Sequence, residues 1–153
     1  MTALQESTRG LEKLFEQLSP LIEKKARTLI SVDIRTILGN ALREMKIRLP
    51  DFRVKEQKYP RQLRVFCSPE DIIFCILSAL RNAWEAQIEK NNPIIISIAE
   101  DEVCASILIA DSGEGLPKKH MHLIGEPFFS TKKDHEGLEI FITKIILAKN
   151  NGR

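Results

Sequence analysis

Residues 111–133 read Asp111-Ser-Gly-Glu-Gly-Leu-Pro-Lys-Lys-His-Met-His-Leu-Ile-Gly-Glu-Pro-Phe-Phe-Ser-Thr-Lys-Lys133. The segment follows an apolar run, residues 105–110. Gly113 and Gly115, one residue apart, let the backbone turn tightly and approach a ligand closely. A strand that runs into an acid and two glycines points to a nucleotide site, although a plain turn carries the same signature. The end of the segment, residues 126–133, reads EPFFSTKK. Two adjacent phenylalanines need burial, and two lysines need solvent or phosphate.

Working back toward the N-terminus, residues 94–99 and 103–110 read as two isoleucine-rich strands around the turn Glu100-Asp101-Glu102. Asn92-Pro93 separates them from a helix that starts at Ser68-Pro69-Glu70-Asp71. Serine caps, proline suits the first turn, and two acids favour the positive end of the helix dipole. This helix is expected to run to about Glu89. Ile72, Ile73, Ile76, Leu77, Leu80 and Ala83 form its buried face. Asn82 lies at the border of that face. Its amide carbonyl can ligate a hard cation such as magnesium; a surface asparagine is the plainer reading.

Three segments together resemble the nucleotide-binding region of sensor histidine kinases, within the GHKL ATPase superfamily. Arg81-Asn82-Ala83-Trp84-Glu85-Ala86 resembles the asparagine box. Asp111-Ser112-Gly113-Glu114-Gly115-Leu116-Pro117 resembles the first glycine box, and residues 126–133 the phenylalanine box. The resemblance runs from about Ser31 to the C-terminus. It implies an α+β fold, a two-layer sandwich of a mixed sheet with helices on one face, preceded by an N-terminal helix. It implies ATP and magnesium as ligands. Asn82 is then the magnesium ligand, and Asp111 accepts a hydrogen bond from the adenine amino group. Gly113 and Gly115 lie against base and ribose. Residues 116–136 form a lid over the phosphates, anchored by Phe128 and Phe129, with Thr131 and Lys132 reaching the phosphates. A solvated pair is the alternative reading of Lys132 and Lys133. Glu85 is a second polar contact near the phosphates or a solvated side chain. Gly137 and Leu138 belong to the second glycine box. No residue is singled out as catalytic.

The sequence also departs from the family. Ser78, one turn before Asn82, stands where relatives have glutamate or asparagine, and serine is no general base unaided. Around Gly137 and Leu138 the second glycine box reads His135-Glu136-Gly137-Leu138-Glu139-Ile140. Glu136 and Glu139 bring two carboxylates to the place where a triphosphate should lie. Like charges a few ångströms apart cost on the order of 1–4 kcal/mol each, which would weaken binding by roughly 10- to 1000-fold. The following helix survives, with Leu138, Phe141, Ile142, Ile145 and Ile146 on one face. The family continues past Asn151-Gly152-Arg153 with two more strands. The open sheet edge is therefore expected to be covered by a second copy or by the N-terminal helix.

The first 27 residues carry an apolar stripe of Leu4, Leu11, Phe15, Leu18 and Ile22, interrupted by Pro20. They read as a packing helix or as the end of a dimerisation hairpin. The expected division is 1–27 as that segment and 28–153 as the ATP-binding domain, cut short at its C-terminus. A short strand at 29–33 leads into a helix at 34–45 capped by Asp33, with Ile37, Leu38, Leu42 and Met45 on one face. Residues 51–59 and 62–66 read as a hairpin broken by Pro60.

At 153 residues, 43% hydrophobic and 29% charged, the chain fits one packed domain. A net charge of +2 gives no pull toward nucleic acid or membrane. No apolar run is long enough to span a bilayer, and the opening residues show no signal-peptide pattern. Cys67, Cys75 and Cys104 lack metal-ligand spacing and read as reduced cytoplasmic thiols. His120 and His122 are lid-surface residues rather than metal ligands. His120, His122 and His135 are the only histidines, and none stands where the family's phosphate acceptor is expected.

Two functions follow from the resemblance. One is the catalytic domain of a two-component sensor histidine kinase, a transferase passing the γ-phosphate to a histidine outside this chain. Its partners would be a phosphoacceptor-histidine domain or a response regulator, and a second copy in a homodimer. The other is a degenerate kinase-like module that has lost ATP and binds signalling partners. An anti-sigma serine kinase is a more distant third.

Overall fold

A computed structural model describes residues 28–60, 62–132 and 135–153. The expected helix within residues 1–27 lies outside the described residues.

Strand β1 (Ile30–Asp33) pairs antiparallel with β3 (Arg64–Cys67), setting Ile30 opposite Cys67 and Asp33 opposite Arg64. Asp33 then caps α1 (Ile34–Arg48), its carboxylate accepting the Arg35 N–H at 2.9 Å. Ile34, Ile37, Leu38, Ala41, Leu42 and Met45 are buried, the steps of three and one that a single helix face requires. The helix outlasts its expected end by three residues. It stops where Pro50 disfavours helical geometry at Leu49.

The expected hairpin of residues 51–66 does not form. Its first half is β2 (Val54–Glu56), which pairs parallel to β4 (Ile94–Glu100), with Val54 opposite Ile94. Its second half is β3, in the other sheet. Pro60 contributes no N–H to a ladder between the two, and β4 offers β2 a partner whose Ile94, Ile96 and Ile98 are buried. Past Glu56 the pairing continues, with the Gln57 N–H donating to the Ile96 carbonyl and the Ile98 N–H to that of Lys58. Strand β5 (Ala105–Ala110) completes this sheet antiparallel to β4, which sits in the centre of the order β2-β4-β5. The sheet is mixed, as expected, but β1 and β3 form a separate two-stranded ladder.

Ile94, Ile96 and Ile98 point from β4 into the core, where they meet α1 and the helix α2 (Pro69–Ala86). Complete burial of a side chain such as Leu80 stabilises by about 1.5–3 kcal/mol. On the opposite face Ile95 and Leu108 remain exposed. The helices therefore cover one face, and the outer edge of β5 carries no partner strand among the described residues.

Helix α3 (Glu139–Lys149) packs on α2 through a second cluster of Leu138, Ile142, Ile146 and Cys75. A buried polar tie joins the same two helices. The Ser68 N–H donates to Asn150 Oδ1 at 2.7 Å, and Asn150 Nδ2 donates to Asp71 Oδ2 at 3.3 Å and to the Ile146 carbonyl at 3.0 Å. One asparagine thus serves both the start of α2 and the end of α3.

Candidate functional site

The last turn of α2 meets the loop that follows β5. The helix ends at Ala86, three residues short of the expected end, because Gln87 takes extended geometry and forms a single antiparallel bridge with Gly113. Gln87 Nε2 donates to the Asn92 carbonyl at 2.8 Å, and Lys90 donates to the Trp84 carbonyl left open at the helix end. Lys90 also lies 5.0 Å from the Trp84 ring centroid.

Gly113 is glycine for a protein-internal reason. A Cβ there would lie 2.4 Å from the Ala86 carbonyl oxygen. Asp111 Oδ1 accepts the Gly113 N–H at 2.8 Å, the turn-capping role its sequence context also allowed. Asp111 is exposed, and its second oxygen has no partner among the described residues. Gly115 differs from Gly113: its φ is +70° and open space surrounds its Cβ position.

Asn82 lies one turn before Ala86, ~6 Å along the helix axis. It is half-buried, and its amide has no hydrogen bond among the described residues. Ser78, one turn earlier still, is buried at 5% exposure, so it belongs to the helix packing. Among the described residues no cluster of three or more His, Cys, Asp or Glu could hold a metal. A lone amide oxygen nevertheless suits magnesium, which keeps several waters and takes its remaining ligands from phosphates.

The segment after Pro117 forms a short 3₁₀ helix, Lys118–Leu123, and then folds back over α2. Phe129 is half-buried and meets the His120 ring edge-on at 5.8 Å. Phe128 is 47% exposed with φ +66°, so it does not anchor the segment as expected. The backbone conformation turns its side chain outward, and the anchoring comes from the chain itself. A Cβ on Gly137 would lie 2.5 Å from the Phe129 carbonyl oxygen and 2.6 Å from the Phe128 carbonyl carbon. Thr131 is exposed. Lys132 is paired although partly exposed: its Nζ lies 2.6 Å from Glu85 Oε2. His135 Nε2 stands 3.4 Å from the same oxygen.

Leu138 is buried, so only its backbone faces the loop, and α3 begins there without a side-chain cap. The N–H groups of its first turn are the kind that bind phosphate. Glu139 does not stand as an uncompensated charge. It pairs with Arg81 of α2, which reduces the repulsion expected from it. Arg81, Gln87, Ser130 and His135 were not singled out as site residues by sequence. Arg81, Gln87 and His135 find their partners in distant segments, so no local pattern marked them.

A model of the family described as histidine kinase-, DNA gyrase B- and HSP90-like ATPase matches residues 67–153. The chain is 36% identical over 76 residues to sporulation kinase A of Bacillus subtilis (strain 168), covering 50% of this chain and 12% of that protein. It is 22% identical over 151 residues to the sensor histidine kinase ZraS of Escherichia coli (strain K12), covering 93% of this chain and 31% of that one. The chain therefore spans a third or less of these relatives. Among solved structures it resembles the mycobacterial sensor histidine kinase MprB, with a TM-score of 0.71 at 21% identity, over 81% of each chain. It also resembles full-length ShkA in complex with AMPPNP, with a TM-score of 0.72 at 18% identity, over 96% of this chain and 32% of that one. These likenesses establish the two-layer α+β fold.

Proposed function

The chain belongs to the family of histidine kinase-, DNA gyrase B- and HSP90-like ATPases, and from that membership we propose that it is the ATP-binding catalytic domain of a two-component sensor histidine kinase. The observation that carries the proposal is the joining of the Asp111 loop to the Asn82 helix. Gly113 packs on the Ala86 carbonyl and bridges Gln87, so an acid and a neutral amide from distant segments share one end of α2. Its relatives include proteins named sensor histidine kinase ZraS and sporulation kinase A, which supports this reading.

In this reading the free oxygen of Asp111 accepts the adenine amino group, and its charge rejects guanine, which presents a carbonyl at that edge. Gly115 gives the base and ribose room. Asn82 would hold magnesium, which when bound neutralises charge between the β- and γ-phosphates. The uncapped N–H groups at Leu138 receive phosphate, while Gly137 makes room for the Phe128–Phe129 backbone of the lid beside them. Thr131 and Lys132 steady it from the lid, with Phe129 packed beneath. Catalysis is then positioning and charge neutralisation, directed at a histidine on a phosphoacceptor domain. Residues 1–27 would be the end of a dimerisation hairpin joining two copies, and 28–153 the ATP-binding domain. The domain would act in the cytoplasm. No helix among the described residues is long and apolar enough to cross a membrane.

Calorimetric titration with Mg-ATP tests this. Binding in the micromolar range is expected. Asp111→Asn keeps the acceptor that Gly113 needs and removes the charge, so affinity should fall about 10-fold. Asn82→Ala should remove most of the magnesium dependence. No binding at millimolar Mg-ATP would favour the degenerate module instead.

A further inference from the structure

The lid lysine meets a carboxylate where the nucleotide reading gives it a phosphate. Lys132 Nζ sits 2.6 Å from Glu85 Oε2, and both side chains are about one-third exposed, at 33% and 28%. The lysine is held there by its own turn: its N–H donates to Ser130 Oγ at 3.0 Å, and that hydroxyl donates to the Lys132 carbonyl at 3.1 Å. His135 Nε2 lies 3.4 Å from the same oxygen. The loop carries backbone strain as well, since Phe128 has φ +66°, a conformation that costs a non-glycine residue free energy unless its surroundings hold it.

We propose that Glu85 is a positioning residue and not a ligand to the nucleotide: it docks the lid through Lys132 in the nucleotide-free domain and yields that lysine to phosphate when Mg-ATP binds. This rests on the nucleotide-binding reading above. The chemistry is an exchange of one anion for another around an ammonium group. Lysine is a compact point charge with three rotatable donors, so it can leave a carboxylate for a phosphate without the planar geometry that would tie arginine to one partner. Glu85 stands one turn after Asn82 on the same helix, so the exchange takes place within the reach of a single side chain. The carboxylate gives the lid a defined resting place and competes with the triphosphate for its cation.

The competition sets a sign that direct ligation would reverse. If Glu85 touched the nucleotide, its removal would weaken binding. Under the proposal Glu85→Gln tightens Mg-ATP by about three-fold, the size of a partly exposed ion pair. Lys132→Met weakens it. In the Lys132→Met background Glu85→Gln brings no gain, because nothing remains to be released. Hydrogen exchange of the nucleotide-free chain supplies a second readout. Amides of residues 128–132 should exchange faster in Glu85→Gln and in Lys132→Met, and no faster in the double variant. Unchanged or weaker binding by Glu85→Gln overturns the proposal while the wild-type titration upholds the nucleotide reading. A gain that persists without Lys132 overturns it too, since it would report general repulsion only. Failure of the wild-type chain to bind Mg-ATP overturns the nucleotide reading and the exchange together.

Discussion

At Gly137 a single methyl group would meet three backbone atoms that cannot swing aside, the Phe129 carbonyl oxygen and carbon and the Phe128 carbonyl carbon. Its φ of +68° is also one that an L-residue adopts at a cost of about 1–2 kcal/mol. Gly137→Ala should therefore lower the melting temperature by several degrees and loosen residues 128–129, readable by calorimetry and hydrogen exchange. An unchanged melting temperature would mean that the loop does not pack there in solution. Gly125 makes a useful contrast: the atoms its Cβ would meet belong to the flexible Lys144 side chain. The sequence marked Gly137 as a box residue and allowed Asp111 a turn-capping role beside the adenine contact, because both readings need only neighbours in the chain. It could not tell that Phe128 faces outward, because a positive φ at a phenylalanine has no local signature. Nor could it pair Lys132 with Glu85, which lies 47 positions away.

Between helices, the tie at Asn150 decides how α2 and α3 hold together. Ser68, Asp71 and Asn150 are all at least nine-tenths buried. Asn150→Leu keeps the bulk and leaves the Ser68 N–H and an Asp71 oxygen without this partner. A loss of about 1–3 kcal/mol is expected in urea unfolding; a neutral result would show that water replaces the amide. The cap of α1 adds a pH signature. Hydrogen bonding from the Arg35 N–H holds the Asp33 carboxyl below its ordinary 3.8. A lowered folded value means that the stabilisation is fully present above 3.8 and fades as the pH falls through the lower folded value. Wild type should thus exceed Asp33→Asn in stability at neutral pH and converge with it in acid, as unfolding at stepped pH would reveal. Both helix starts were legible, since Asp33 and Ser68 act within three residues. Asn150 was not, because its partners come from the far end of another helix.

For the whole molecule, the two apolar clusters protect two of the three cysteines. Burial pushes the Cys75 thiol up to about 12 and raises that of Cys67, so neither forms much thiolate near neutral pH. Maleimide at pH 7.5 should label Cys104 in the native chain and reach Cys67 and Cys75 only on unfolding, as mass spectrometry of timed samples would reveal. Prompt triple labelling would contradict the packing of α3 on α2. The α+β class came from the family resemblance, whereas the order of helices was readable from periodicity, because each helix announces its own apolar face. The partition of strands was not, since a three-residue strand such as β2 has too few positions to declare its neighbour.

That partition carries a kinetic consequence. Along the chain the strands alternate between ladders, β1 in one, β2 in the other, β3 back in the first. β2 must wait for Ile94, forty residues later, before its register exists. Only the β4–β5 hairpin closes locally. On a ribosome the N-terminal half therefore emerges with an unzipped strand at its middle, and collapse to the finished core awaits the arrival of β4.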